Sequence, residues 1–179
     1  MKEIRGRRLT LLIEADEIER KVRELGERIR EDFKDAREFV VVGLLKGAFV
    51  FVADLIRTID LPLQVDFLWI SSYGQSMESS GSIRIVKDLE TDLEGKEVLL
   101  VDDILDTGVT LKEIHSFLIM KNPARLKTCV LLDKKGRRRV AFEADYVGFE
   151  VPDRFLVGYG LDWGELGRNL RGIYAVEDQ

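Results

Sequence analysis

The sequence predicts an α/β protein with a central, mostly parallel sheet flanked by helices. Apolar, β-rich runs alternate with helical patterns along the chain, which is typical of strands joined by crossover helices. The run at residues 98–101 is continuously apolar, as expected for a parallel strand that is buried on both faces. A length of 179 residues suits one well-buried domain better than two. We therefore expect residues 1–179 to form a single domain.

Hydrophobic periodicity predicts each element in turn. Residues 15–33 repeat apolar side chains at helical spacing behind the cap candidate Asp16, which predicts an amphipathic helix. The apolar run 39–45 predicts a buried strand, and residues 48–59 predict the helix that follows it. The later predicted elements are strands at 65–71, 83–87, 98–101, 126–132 and 155–159 and a helix at 109–120.

Composition excludes several classes of protein. The net charge of −5 argues against general nucleic-acid affinity, and no stretch approaches the roughly 20 apolar residues of a membrane span. The first residues lack the apolar core of a signal peptide, so we predict a cytoplasmic protein with no membrane partner. The only cysteine, Cys129, is predicted to fill core space. His115 is predicted to be an exposed helix residue, and the basic run 134–139 a solvated loop apart from Lys134.

The segment VLLVDDILDTGVTL at residues 98–111 carries the strongest signal for a site. Asp102 and Asp103 follow the apolar run, and the loop from Asp106 through Thr107 and Gly108 opens onto a predicted helix. In an open α/β sheet this crevice is where ligands bind, and the backbone N–H groups and dipole of the helix N-terminus favour phosphate. Glycine permits close backbone approach, and threonine hydroxyls add donors. We therefore predict a phosphate site here.

Three carboxylates beside a phosphate would repel it unless sugar hydroxyls or a Mg²⁺ ion lay between them. A sugar phosphate bound with Mg²⁺ satisfies both conditions. The alternative is that Asp102, Asp103 and Asp106 are only turn and cap residues. That alternative explains one aspartate more readily than three beside a Thr-Gly-x-Thr loop.

This segment resembles the phosphoribosyl-pyrophosphate (PRPP) signature of the type I phosphoribosyltransferases. Other motifs, in the same order and at similar spacing from about residue 10 to the C-terminus, resemble the hypoxanthine-guanine branch. They are Leu45-Lys46-Gly47, Ser72-Tyr73, Asp133-Lys134-Lys135, the block DYVGFEVPDRFLVGYG at 145–160, and Leu161-Asp162. The resemblance implies the type I fold with a small hood, and a mobile lid loop at about residues 71–82. Without the resemblance, that polar stretch could also be only a long connection.

The resemblance also implies an activity: purine salvage by transfer of 5-phosphoribosyl from PRPP to hypoxanthine and/or guanine, giving IMP or GMP and pyrophosphate. Mg²⁺ is the implied cofactor, and a homodimer or homotetramer is the implied assembly. Asp106 is the implied catalytic proton acceptor. The implied PRPP and phosphate contacts are Lys46, Gly47, Ser72, Tyr73, Asp102, Asp103, Asp106, Thr107, Gly108, Val109, Thr110 and Arg168. The implied purine contacts are Ile104, Lys134, Phe155, Leu156 and Asp162, and the implied metal ligands are Asp102, Asp103 and Asp162.

The chain departs from the family pattern at two positions, because Val109 replaces a lysine of some relatives and Asp102 a common glutamate. The Leu45-Lys46 peptide is expected to be cis by the same resemblance. Three alternatives stay open: a xanthine-preferring or broad 6-oxopurine transferase, a non-catalytic PRPP-binding module, and an RNA-binding regulator. The regulator would resemble the pyrimidine-operon attenuation proteins, to which EADYVG at 143–148 is also similar, but those proteins generally lack a counterpart of Asp106.

Overall fold

The computed structural model describes residues 3–71 and 84–177, and their strands form a six-stranded and a four-stranded sheet. The elements in chain order are β1 (Glu3–Ile4), β2 (Arg7–Ile13), α1 (Ala15–Phe33), β3 (Phe39–Leu45), α2 (Phe49–Ile56), β4 (Gln64–Ser71), β5 (Arg84–Lys87), β6 (Glu97–Leu105), α3 (Val109–Ile119), β7 (Arg125–Asp133), β8 (Tyr146–Glu150), β9 (Leu156–Val157) and β10 (Ile173–Val176), with one turn of 3₁₀-helix at Lys135–Arg137. Apart from Ser71, the predicted lid lies outside the described residues.

The larger sheet confirms the predicted α/β class. Its strand order is β5-β4-β3-β6-β7-β8, and every neighbouring pair is parallel except β4 with β5. Val41 of β3 packs in the same core cluster as α1 and α2, whereas Val40 and Val42 pack in the cluster that contains α3. Because alternate side chains of a strand point to opposite faces, helices cover both faces of this sheet.

The smaller sheet is antiparallel and joins the two ends of the chain, in the order β1-β2-β10-β9. It corresponds to the hood that the resemblance implied. The strand predicted at 155–159 is therefore wrong in length and in sheet: only Leu156–Val157 pair, and they pair with β10. Gly158, Tyr159 and Gly160 take positive φ angles of 105°, 49° and 100°, which lie outside the β region and end the strand.

Several element bounds differ from the predictions. The N-cap of α1 is Glu14, whose backbone N–H donates to the Glu17 carboxylate at 3.0 Å, and Asp16 lies in the first turn. Helix α2 ends at Ile56 rather than at residue 59, because the Thr58 N–H and hydroxyl both turn back to the Leu55 carbonyl. Strand β6 continues to Leu105 instead of stopping at residue 101.

The structure also tests the predictions for Cys129, for His115 and for membrane-spanning helices. Cys129 is fully buried in the core, as predicted, and burial raises the pKa of its thiol. His115 is half-buried rather than exposed, because its ring meets the edge of Phe142 at a centroid distance of 5.7 Å. Within residues 3–71 and 84–177, no helix has the length and apolar character needed to cross a membrane.

Candidate active site

A cavity of about 530 Å³ lies at the carboxyl ends of β3 and β6, with β7 and the hood forming its other walls. Most of the predicted site residues line it together: Lys46, Gly47, Asp102, Asp103, Ile104, Asp106, Lys134, Phe155, Leu156, Asp162 and Arg168. Ser72 and Tyr73 lie outside the described residues. Thr107, Gly108, Val109 and Thr110 form the turn into α3, directly after Asp106.

The floor of the cavity holds an adjacent acid pair, Asp102 and Asp103, on the last part of β6. The Asp103 N–H donates to the Asp102 carboxylate at 2.9 Å. Both side chains are part-exposed to the cavity but otherwise enclosed by protein. Burial, followed by repulsion from Asp103, raises the pKa of Asp102 well above its usual range, and burial also raises the pKa of Asp103. Such a pair favours donors or a cation in front of it.

The Lys46-Gly47 loop after β3 packs directly on this acid pair. A Cβ atom at Gly47 would stand 2.0 Å from Oδ2 of Asp103, and a Cβ atom at Gly160 would stand 2.3 Å from the Gly47 carbonyl oxygen. A side chain at Gly160 would clash with backbone, and one at Gly47 would displace either this loop or the Asp103 carboxylate. The Leu45-Lys46 peptide is cis, as the resemblance implied.

The acid pair suits a divalent cation that is shared with a substrate. In the part of the chain that the structure describes, no group of three or more His, Cys, Asp or Glu side chains could hold a metal. Mg²⁺, however, is usually held by one or two carboxylates with substrate phosphates and water, and Asp102 and Asp103 provide those carboxylates. The oxygens of Asp162, the third expected metal ligand, accept from Arg168 and from the Glu165 N–H, at 2.8 and 2.7 Å.

The N-terminus of α3 is shaped for an anion. Gly108 is the N-cap at a φ of 83°, and neither a capping side chain nor an acid in the first turn occupies the helix end. Helix α1, in contrast, carries Asp16 and Glu17 in its first turn. The first N–H groups of a helix have no intrahelical partner and attract negative charge. The uncovered end of α3 is therefore suited to a phosphate.

Asp106 lies between the acid pair and the loop after β7. Its Oδ1 atom is buried and accepts no hydrogen bond from the described residues, while Nε of Arg137 lies 3.3 Å away. Its backbone carbonyl accepts from the Arg138 guanidinium at 2.5 Å. A buried carboxylate oxygen that lacks a donor is available to a proton on a ligand.

The opposite wall carries a lysine and an aromatic ring. Lys134, at the end of β7, is only 6% exposed, and its ammonium makes no hydrogen bond or ion pair with the described residues. Phe155 is 54% exposed and meets Trp163 edge-to-face at 6.0 Å, so it is not simply a core residue. Leu156 is buried beside it, and Ile104 lines the cavity from β6.

Two cations stand on the side of the cavity that is nearest the hood. The Lys46 ammonium pairs with Glu165 at 3.1 Å. The Arg168 guanidinium donates to the Gly160 carbonyl at 2.8 Å and pairs with Asp162, yet its Nε atom is buried and unpartnered among the described residues. Both cations are therefore held in place by protein groups near the acid pair.

Part of the cavity wall consists of residues that the sequence did not predict. The cavity is also lined by Arg137, Asp153 and Arg154. In the basic run, Lys135, Gly136, Arg137 and Arg139 are exposed, as predicted, and Arg138 is the exception. Arg138 is 14% exposed and pairs with the fully buried Asp133 at 2.5 Å. Charge patterning could not identify this residue, because a run of arginines is ordinarily solvated and burial here depends on contacts with the Asp106 loop.

Comparisons with known proteins agree with this geometry. A family model described as a phosphoribosyl transferase domain matches residues 12–163. The chain is 64% identical over 178 residues to the hypoxanthine-guanine phosphoribosyltransferase of Aquifex aeolicus, with 99% of this chain and 100% of the relative covered. The crystal structure of a hypoxanthine-guanine phosphoribosyltransferase from Bacillus anthracis, with a HEPES molecule in its active site, superposes with a TM-score of 0.89 at 45% identity, over 94% of this chain and 98% of that one. The Trypanosoma cruzi hypoxanthine phosphoribosyl transferase gives a TM-score of 0.91 at 38% identity, over 99% and 95%. The chain therefore belongs to the phosphoribosyl transferase family, in its hypoxanthine-guanine branch.

Proposed function

We propose that this enzyme transfers the 5-phosphoribosyl group of PRPP to N9 of hypoxanthine or guanine, releasing pyrophosphate and forming IMP or GMP. The names of its relatives support this reaction. The observation that carries it in this chain is the composition of one cavity. On one side of it lie Asp106 and Lys134, a buried lysine that has no partner in the described part of the chain. On the other side lie an acid pair, the N-terminus of α3 and two cations.

The 5′-phosphate is proposed to bind the turn at 107–110. Its support is that Gly108 provides no capping side chain and that the first turn of α3 holds no acid, so the N–H groups at this helix end can donate to an anion. The Val109 N–H has only a long contact of 3.4 Å to the Thr107 hydroxyl. The Thr107 and Thr110 hydroxyls add donors. Val109 contributes its N–H in place of the lysine of some relatives.

The pyrophosphate is proposed to bind Lys46, the Gly47 backbone and Arg168. Cationic and backbone donors on the departing oxygens stabilise the charge that develops as the bond to C1 breaks. Ser72 and Tyr73 are proposed to complete this side from the lid. Closure of a lid would exclude water, which otherwise competes with the purine for a cationic sugar.

Mg²⁺ is the proposed cation, held by Asp102 and Asp103 together with substrate oxygens, and when bound it would neutralise charge on the pyrophosphate. The two carboxylates also stabilise positive charge on the ribose as it develops oxocarbenium character. Asp162 could join a metal or the 2-position of the purine only by exchanging the Arg168 and Glu165 donors that its oxygens now accept.

The purine is proposed to lie against Phe155, with Ile104 and the Leu156 backbone at its edges. Asp106 accepts the N7 proton as N9 bonds to C1, for which its Oδ1 atom is suited because it accepts no hydrogen bond from the described residues and lies 3.3 Å from the Arg137 cation. Lys134 donates to the 6-oxo group. A lysine can only donate, so it favours a 6-oxo acceptor and disfavours the 6-amino donor of adenine.

The RNA-binding alternative is less well supported. The basic run at 134–139 is the feature that favours it, but most of the charges in that run are already paired with carboxylates. The pairs are Lys135 with Glu150, Arg137 with Asp106 and Asp153, and Arg138 with Asp133. Nucleic-acid binding needs cations that are free to contact phosphates. The alternative of a xanthine-preferring enzyme stays open, because contacts worth only about 1–3 kcal/mol in the pocket are enough to change the preferred purine. Cytoplasmic location and a homodimer or homotetramer stay predictions.

Pyrophosphate release tests the proposal, measured with PRPP and Mg²⁺ against hypoxanthine, guanine, xanthine, adenine and uracil in parallel. We expect turnover with 6-oxopurines only. The Asp106→Asn variant should lose about 10²–10⁴-fold in kcat, the usual contribution of general-base assistance, while PRPP binding measured by calorimetry persists. Turnover only with uracil, or with none of the bases, would exclude the reaction. A full kcat in the Asn variant would exclude Asp106 as the base.

A further inference from the structure

The buried pair Asp133 and Arg138 connects the two halves of the purine site. Asp133 is the last residue of β7 and comes directly before Lys134, while Arg138 follows the 3₁₀ turn. One arm of the Arg138 guanidinium donates to Asp133 Oδ1 at 2.5 Å. The other arm donates to the backbone carbonyl of Asp106 at 2.5 Å. A single planar group therefore joins the strand that presents the lysine to the residue that presents the base.

The ion pair between Asp133 and Arg138 is buried, which makes the loss of either partner costly. Asp133 has no exposed surface and Arg138 has 14%. Within the described residues, Asp133 Oδ2 and Arg138 Nε are both buried without hydrogen-bond partners, so each charge depends on the other. Removing one partner of such a pair leaves an uncompensated charge inside the protein, whereas replacing both by apolar side chains can preserve stability.

The surrounding backbone is tied to the same two segments. The Lys134 N–H donates to the Leu105 carbonyl, and the Arg139 N–H donates to the Thr107 carbonyl, both at 2.9 Å. These bonds hold the backbone on both sides of Asp106, at Leu105 and Thr107, and the guanidinium holds the Asp106 carbonyl itself. The stem of Arg138 also covers Gly108, since a Cβ atom there would meet its Cδ atom at 3.0 Å.

We propose that Arg138, held by Asp133, is a positioning residue that sets the Asp106 carboxylate relative to the Lys134 ammonium. This inference rests on the proposed function, in which those two groups engage N7 and O6 of one purine ring. A rigid ring reaches both groups only if their separation is fixed. The fork of an arginine can hold two acceptors at once, and a lysine lacks that planar, bidentate geometry.

The test separates positioning from simple structural support. Arg138→Lys keeps a charge for Asp133 and should retain most of the thermal stability, but it should not hold the Asp106 carbonyl in the same way. We expect its chemical step, measured in single turnover with saturating PRPP and hypoxanthine, to slow by about 10²-fold, the effect of a displacement of about 1 Å in a catalytic group. Arg139→Met is the matched control, because Arg139 is exposed and adjacent, and it should match the wild type.

A double variant, Asp133→Leu with Arg138→Met, removes both buried charges. It provides the decisive comparison if Arg138→Lys loses stability, and its stability should exceed that of Arg138→Met alone. If its single-turnover rate stays low while its stability returns, positioning is supported. If the rate returns with stability in either variant, Arg138 is only structural and the inference fails. Wild-type protein assayed beside them tests the proposed function separately, because that function fails only if the wild type itself does not turn over 6-oxopurines.

Discussion

Replacing Lys134 by methionine tests the proposed recognition of the 6-oxo group. Lys134 is 6% exposed as a residue, and its ammonium has no hydrogen-bond acceptor among the described residues. In the purine complex it would donate to O6, and in the Lys134→Met variant O6 would face a thioether that cannot donate. Catalysis should therefore fall while the fold stays intact.

The size of the effect follows from the burial of this group. A hydrogen bond to a charged group is worth about 1.5–3 kcal/mol, and each 1.36 kcal/mol is tenfold in rate, so kcat/KM for hypoxanthine should fall about 10- to 150-fold. The melting temperature should rise or stay unchanged, because the substitution removes the charge of a buried residue that has no partner among the described residues. A variant that loses activity but not melting temperature separates recognition from folding.

The assay is steady-state pyrophosphate release with hypoxanthine and adenine, combined with thermal unfolding of the ligand-free protein. Lys135→Met is the matched control, since Lys135 is the next residue, is exposed and pairs with Glu150 on the surface. Lys134→Gln adds a second comparison, because an amide can accept from a 6-amino group as well as donate and should narrow the preference against adenine. An unchanged kcat/KM for hypoxanthine in Lys134→Met would refute the assignment.

Three further perturbations follow from the structure. Gly47→Ala places a Cβ atom 2.0 Å from Asp103 Oδ2, so the loop or the Asp103 carboxylate must move. Because displaced catalytic groups lose activity steeply, kcat/KM for PRPP should fall at least about tenfold. An unchanged kcat/KM in steady-state kinetics would contradict this packing. Although burial opposes it, hydrogen bonds led by the Thr91 N–H lower the pKa of Asp66, so its carboxylate stabilises the fold at neutral pH and this stability is lost as pH falls through the lowered pKa. Urea unfolding of Asp66→Asn should show a loss of about 1.5–3 kcal/mol at pH 7 that shrinks in acid, and a constant loss would refute the linkage. Phe155→Leu should raise the KM for hypoxanthine about 2- to 13-fold, the worth of an aromatic pair, without lowering the melting temperature, because the ring is 54% exposed; an unchanged KM would argue against stacking.

The parts of the fold that were predicted correctly depend on local patterns. Helix α1 shows its whole apolar stripe in sequence, with Ile18, Val22 and Leu25 all buried, so its bounds were confirmed. Strand β6 was predicted too short because two acids interrupt its apolar run, while its pairing with β7 continues to Leu105. Strand β8 was not predicted, and the antiparallel partner of β9 is β10 rather than a neighbour in the large sheet. Pairing between distant segments is set by tertiary packing and leaves no local periodicity.

The same division applies to the candidate site. The acid pair and the Thr-Gly turn were identified because a strand, its terminal acids and a helix start lie consecutively in the chain. Arg138 was missed because its two partners come from different parts of the chain: Asp133 is local, but Asp106 is 32 positions away. A charged side chain becomes a buried contact only when the fold brings its acceptors together, and sequence spacing does not report that distance.

Strand order then explains why this fold suits a displacement at C1. Strands β3, β6 and β7 are consecutive neighbours in the sheet, and their carboxyl ends present Lys46-Gly47, the acid pair and Lys134 in that order. Neighbouring strands lie about 4.8 Å apart, so the proposed contacts for pyrophosphate, ribose and purine follow one another across roughly 10 Å. A nucleophile and a leaving group on opposite sides of one carbon need this linear order. Because backbone pairing fixes the strand ends, the sheet itself aligns the segments that contact the reactants, whereas Asp106 lies on the loop between β6 and α3. The Arg138 guanidinium restrains that loop further through its hydrogen bond to the Asp106 carbonyl.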